Sequence, residues 1–119
     1  MDEKCVVYRT VNIISKKWCL LVILSIHKGK NHVKRYNEIK KDVIGITPKS
    51  LSKVLNELVI ENILIKKTNR TKVPIKTYYS LTESGKDLIK VVNDLKSWGL
   101  KWKFNNKKCE NNKCQGCLL

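Results

Sequence analysis

Acidic side chains are scarce in this sequence. Ten Asp and Glu stand against 25 Lys and Arg among 119 residues, a formal net charge of +15. That imbalance excludes a self-neutralising surface and points to a polyanionic partner or an anionic membrane. Adaptation to heat raises Lys and Glu together, so it does not explain the deficit of acids. Long apolar runs are also missing. The longest, residues 18–24, falls far short of the roughly 20 residues that span a bilayer. Its flanks lack the order of a secretory signal, since Asp2 and Glu3 stand at the start and no small-residue cleavage site follows. Membrane contact is therefore not expected, nucleic acid is the favoured polyanion, and the expected location is the cytoplasm. Catalytic motifs are missing too. There is no Gly-rich phosphate loop and no H-E-x-x-H pair, and His27 and His32 have no carboxylate or nucleophile pattern around them. Both histidines are expected on the surface, and no enzyme is expected.

What is present is periodicity. Leu51, Val54, Leu55, Leu58 and Val59 recur at the i, i+3, i+4, i+7, i+8 spacing of one buried helical stripe. Thr47 offers an N-cap oxygen and Pro48 fits the first helical position, so the predicted helix covers residues 47–61. At about 100° per residue, Lys49, Lys53 and Asn56 fall opposite the stripe, flanked by Ser50 and Ser52. Such side chains can reach both phosphates and base edges in the DNA major groove. The chain then turns through residues 68–74 between two strand-like runs, which places Arg70 and Lys72 at a hairpin tip. Ile63 and Ile65 alternate with Leu64 and Lys66 going out, and Ile75, Thr77 and Tyr79 with Lys76, Tyr78 and Ser80 coming back. A basic tip of this kind can enter the minor groove or lie along phosphates.

Around this centre the sequence predicts further helices. Residues 6–15 place Val7, Val11 and Ile14 on one side. Residues 16–27 are apolar on nearly every face around Trp18, Leu21, Leu24 and Ile26, as a central core helix would be. Gly29 and Asn31 end it. Residues 35–43 form a short helix with Tyr36 and Ile39 inward and Arg35 at its start, a further candidate DNA contact; it braces the helix at 47–61. Thr82 and Glu83 open a long final helix, in which Leu88, Val92, Leu95, Gly99 and Trp102 recur at near-heptad spacing beside Val91 and Trp98. That is more apolar surface than one small core needs, so a homodimer is expected, its paired helices reading two DNA half-sites about one turn apart. The fold class is mainly α with a small β-hairpin wing, a winged helix-turn-helix. Residues 1–104 are expected to form the DNA-binding and dimerisation domain, and residues 105–119 a cysteine-containing tail.

Four pieces of sequence, in order, resemble the HxlR family of small bacterial and archaeal transcription regulators, relatives of the MarR group. They are "CVVYRTVNIISKKWCLLVIL", "RYNEIKKDVIGITPKSLSKVLNELVIENIL", "VPIKTYYSLTESGKDL" and "LKSWG". The resemblance implies a DNA-binding regulator. Asn62 departs from it, standing where a Gly usually ends the recognition helix, but Asn also tolerates the left-handed conformation. The tail after Phe104 departs further. Several such regulators sense oxidants or electrophiles through an N-terminal cysteine, and Cys5 matches that position. It lies among Lys4 and Arg9, where positive charge favours the thiolate. Redox sensing at Cys5 is what the resemblance implies; a structural or idle thiol is the alternative.

Five cysteines, an odd number without a secretory signal, do not make a disulfide framework. Cys19, within the apolar helix, reads as a small buried hydrophobe. Cys109, Cys114 and Cys117 give C-x4-C-x2-C, the spacing of plant-type 2Fe–2S ferredoxins, which need a fourth ligand from elsewhere. Thiolates at this density favour zinc or an iron–sulfur cluster. The spacing does not separate zinc, an iron cluster, a thiol switch and a plain tail. Two other functions fit parts of the pattern. One is a small metal or iron–sulfur carrier with a basic docking surface; the other is an RNA-associated winged helix.

Overall fold

The apolar run around residue 20 becomes the centre of the molecule. In the computed structural model, which describes residues 2–111 and 113, a first helix Val6–Ile14 (α1) meets the core helix Cys19–His27 (α2) at 71°. Val22, Ile23 and Ile26 of α2 are fully buried. The helix starts later than residue 16, with Trp18 at its N-cap position. Leu21, predicted inward, stands 46% exposed. Val7 and Val11 of α1 are exposed as well. Among the described residues no single helix is long and apolar enough to cross a membrane.

After α2 and a short 3-10 turn come a strand Val33–Arg35 (β1) and two helices, Tyr36–Asp42 (α3) and Pro48–Ile60 (α4). Strands Leu64–Asn69 (β2) and Lys76–Leu81 (β3) follow, then the long helix Glu83–Trp102 (α5) and a short one, Lys107–Asn111 (α6). The wing is a three-stranded antiparallel sheet in the order β1-β3-β2, rather than a hairpin alone. Val33 pairs with Ser80 and Arg35 with Tyr78, while β2 pairs with β3 from Leu64–Leu81 to Asn69–Lys76. Three residues, two of them cationic, are too short to show the two-residue alternation by which a strand is recognised. Around α2 pack Ile39 of α3, Leu51, Leu55 and Leu58 of α4, Leu64, Tyr79 and Leu81 of the sheet, and Ile89 of α5.

Both ends of α4 are closed by the residues the sequence supplies. Thr47 Oγ1 accepts the Ser50 N–H at 3.1 Å. At the other end Asn62 takes φ 59°, and the N–H groups of Asn62 and Ile63 donate to the carbonyls of Val59 and Leu58 at 3.0 and 2.9 Å. This is a Schellman ending with Asn in place of Gly. It also breaks the predicted alternation, because Ile63 belongs to the helix end and is buried next to Leu64. The Asn62 carbonyl in turn accepts from Thr82 Oγ1 at 2.6 Å and Ser84 Oγ at 3.0 Å. Thr82 Oγ1 meanwhile accepts the Gly85 N–H at 3.2 Å, capping α5. Gly85 is required here, since a Cβ would collide with the Ile63 carbonyl oxygen. The end of α4 and the start of α5 are therefore one hydrogen-bonded joint.

A half-buried ion cluster fixes α3 to the core. Lys34 Nζ of β1 donates to Asp42 Oδ2 at 2.7 Å and to Ser25 Oγ at 3.3 Å, and Lys28 lies 3.9 Å from Asp42 Oδ1. Burial pushes the Asp42 carboxyl up, but hydrogen bonds from Lys34 and Ser25 and the charges of Lys34 and Lys28 outweigh it. The net position is below the ordinary 3.8. His27 and His32 are not the surface residues expected. Both are half-buried, with Nδ1 atoms 3.2 Å apart and rings nearly parallel. Burial, then the charge of His32, lowers the His27 pKa below 6.5. Each shift means that the folded state binds fewer protons than the unfolded chain, so stability falls with acidification. Urea unfolding across pH should show a decline below about 6.5 that His27→Gln removes, and another below about 3.8 that Asp42→Asn removes. At neutral pH Asp42→Asn should itself cost about 1.5–3 kcal/mol, the range for losing hydrogen bonds to a charged group.

Candidate nucleic-acid interface

Closing α4 at both ends fixes which of its faces meets solvent. The stripe of Leu51, Val54, Leu55 and Leu58 is buried, and Val59 packs partly against it. Lys49, Ser52, Lys53 and Asn56 are exposed, so the polar residues read from the sequence share the outer face. Ser50 differs: its side chain is half-buried and its N–H is committed to the Thr47 cap. Lys16 reaches across from the α1–α2 turn to Glu57 Oε2 at 2.6 Å and so braces the back of α4.

The wing supplies the second group of cations. Arg70 and Lys72 are exposed in the turn between β2 and β3, as the sequence predicts. Asn69 Oδ1 accepts the Thr71 N–H at 3.1 Å and the Thr71 hydroxyl at 2.6 Å, a side-chain turn that shapes the tip locally. Arg35 stands apart from the other predicted contacts, at the junction of β1 and α3. Its N–H donates to Glu38 Oε1 at 3.1 Å, and its Nε lies 3.4 Å from the same oxygen.

Between α3 and the base of the wing, Arg35 faces an open cleft of about 360 Å³ that also includes Asn37, Lys66, Lys76, Thr77 and Tyr79. Nothing in the sequence marks Lys66 or Lys76 as site residues. Both line the cleft, whose shape depends on β1 as well as on β2 and β3.

The outer face of α4, the basic tip and the three-stranded wing compose a winged helix-turn-helix. A model of the HxlR-like helix-turn-helix family matches residues 13–107. The chain belongs to that family. A Fusobacterium mortiferum protein assigned as the regulatory protein MalR is 35% identical over 96 residues, which cover 81% of this chain and 88% of that one. Among solved structures, a MarR-family transcriptional regulator of Porphyromonas gingivalis superposes with a TM-score of 0.78 at 30% identity, covering 86% of this chain and 96% of that one. The oxidized form of the redox regulator HypR gives a TM-score of 0.73 at 32% identity, with coverages of 84% and 99%. The family is one of transcription regulators.

The described cysteines of this HxlR-like chain sit on three different helices or helix ends. Cys5 is half-buried at the N-cap position of α1. Cys19 is buried as expected, its Sγ 3.7 Å from the Ile13 carbonyl, and burial raises its pKa. Cys109 is half-buried on α6 and lines an apolar groove of about 490 Å³ between α2 and α5, with Leu21, Leu24, Leu95 and Phe104. Cys114 and Cys117 lie outside the described residues. Among the described residues no cluster of three His, Cys, Asp or Glu is placed to hold a metal.

Proposed function

We propose that this HxlR-like regulator binds duplex operator DNA as a homodimer, with α4 in the major groove and the wing tip on the flanking backbone. The observation that carries this reading is the exposed row Lys49, Ser52, Lys53 and Asn56 on a helix whose opposite stripe is locked in the core. The excess of cations supports a polyanionic partner, and the regulator family supports DNA as that partner in the cytoplasm. Arg70→Ala and Lys72→Ala should weaken cognate and random duplexes alike and flatten the salt dependence, because phosphate contacts release counterions without reading sequence. Fluorescence anisotropy over a salt series checks this.

Pairing is supported by α5. Leu95, Trp98 and Trp102 are 54, 57 and 63% exposed, and Phe104 beyond the helix is 72% exposed. Apolar surface of that size on one side of a helix fits an interface between copies.

Redox input is the finer part of the proposal. The name of the redox regulator HypR and the place of Cys5 at the start of α1 support a thiol whose oxidation changes DNA affinity. Cys109, Cys114 and Cys117 form a second candidate, a zinc or iron–sulfur site in a tail that works as a unit separate from residues 1–104. Cys5→Ser should remove the response of DNA binding to oxidants. A triple Cys→Ser variant of the tail should lose any bound metal and keep its helical circular dichroism. Anaerobic metal analysis and oxidant titration of the two variants separate one shared site from two; a wild-type protein without zinc or iron, indifferent to oxidants, contradicts both.

A further inference from the structure

Only two of the 119 residues are histidine, and the fold brings both together. His27 ends α2, and His32 ends the 3-10 turn that follows it. On a continuing helix, residues five apart would lie about 140° round the axis and could not meet. The turn is what joins them. The Lys28, Gly29 and His32 N–H groups donate to Leu24, Ile26 and Gly29 carbonyls at 3.1, 3.0 and 3.0 Å. Asn31 and His32 both take φ 58°, which swings the chain back toward α2. The loop closes so tightly that a Cβ on Gly29 would collide with the Val33 carbonyl oxygen. The two rings are thus held in place by the backbone before anything binds them.

The ring centres are 5.0 Å apart but the Nδ1 atoms only 3.2 Å, so these nitrogens face each other across the gap. Two bare lone pairs repel at that distance, so one ring carries Nδ1–H and donates it to the other. A zinc ion in place of that proton would lie about 2.0–2.1 Å from each nitrogen, and their 3.2 Å separation sets the angle at the ion to about 100°, close to tetrahedral. The ring that gives up Nδ1–H takes its proton at Nε2, so both rings stay neutral. Burial, then the charge of His32, already favours the neutral form of His27 that ligates a metal. Lysines flank the pair in sequence, but Lys28 and Lys34 are drawn to Asp42 and Lys30 is exposed to water. We propose that His27 and His32 chelate one divalent transition-metal ion of the zinc type through their Nδ1 atoms. Among the described residues no third His, Cys, Asp or Glu joins them. Water fills the other positions, as in zinc sites that stay open, and the half-buried rings leave a path for the ion. Imidazole suits zinc, copper and nickel, whereas magnesium and calcium need oxygen ligands. The site needs neither the DNA contacts nor the tail cysteines.

The test uses the full chain carrying Cys109→Ser, Cys114→Ser and Cys117→Ser, so that the tail thiols take no zinc. Its thermal midpoint should rise with the logarithm of zinc concentration, because an ion that binds only the folded state stabilises it by mass action. Magnesium should leave the midpoint unchanged. Adding His27→Gln or His32→Gln should abolish the rise with zinc. A second measurement needs neither histidine variant to fold: long-range proton–nitrogen correlation spectra of the imidazoles in the tail-substituted chain. Without zinc one ring should carry its proton at Nδ1; with zinc both should carry it at Nε2. A midpoint that zinc does not move, or that magnesium moves equally, overturns the proposal. So does a rise that survives both histidine substitutions, or imidazole spectra unchanged at saturating zinc.

Discussion

Lys53→Ala and Asn56→Ala should each cost a cognate duplex about 1–3 kcal/mol while leaving random DNA much less affected, the mark of contacts that read base edges. The two residues are exposed on the face of α4 opposite Leu51 and Leu55, so neither substitution disturbs packing. Ser50→Ala should do less, because that residue is half-buried. Competition anisotropy against unlabelled random duplex measures the difference. Equal losses on both DNAs would move Lys53 and Asn56 from base readout to backbone contact.

Leu95→Asp should separate the subunits. In the isolated protomer Leu95 is 54% exposed at the rim of the apolar groove, so an Asp there leaves the single fold intact. In a dimer built on α5 the same carboxylate is buried without a partner, at a cost of about 3–5 kcal/mol. Self-association should weaken by roughly a hundredfold or more, since about 1.4 kcal/mol is a factor of ten. DNA affinity should fall with it, because a monomer holds one half-site. Sedimentation velocity at micromolar concentration reads the first effect directly. A wild-type protein that sediments as a monomer under those conditions contradicts pairing through α5.

The helices were legible where chemistry is local. Thr47, Pro48 and the leucine stripe define α4 within a few residues of one another, and Asn62 closes it with the left-handed turn that Asn tolerates. Thr82 likewise announces α5. Illegible were the features made by distant residues meeting in space. The strand β1 exists because Val33, Lys34 and Arg35 find β3, over forty residues later. The His27–His32 pair depends on a turn in which Asn31 and His32 both take positive φ, uncommon for a non-glycine residue though least so for Asn and His. The cleft between α3 and the wing depends on both the register of β2 with β3 and the position of β1 beside β3.

The most direct test of a sequence-reading dimer is selection from a pool of random duplexes at physiological salt, followed by footprinting of the enriched sequence. A two-fold symmetric site is expected, with two protected half-sites whose centres lie about one helical turn, or a whole number of turns, apart. No enrichment over random duplex, or displacement of the duplex by single-stranded RNA at equal concentration, would contradict it.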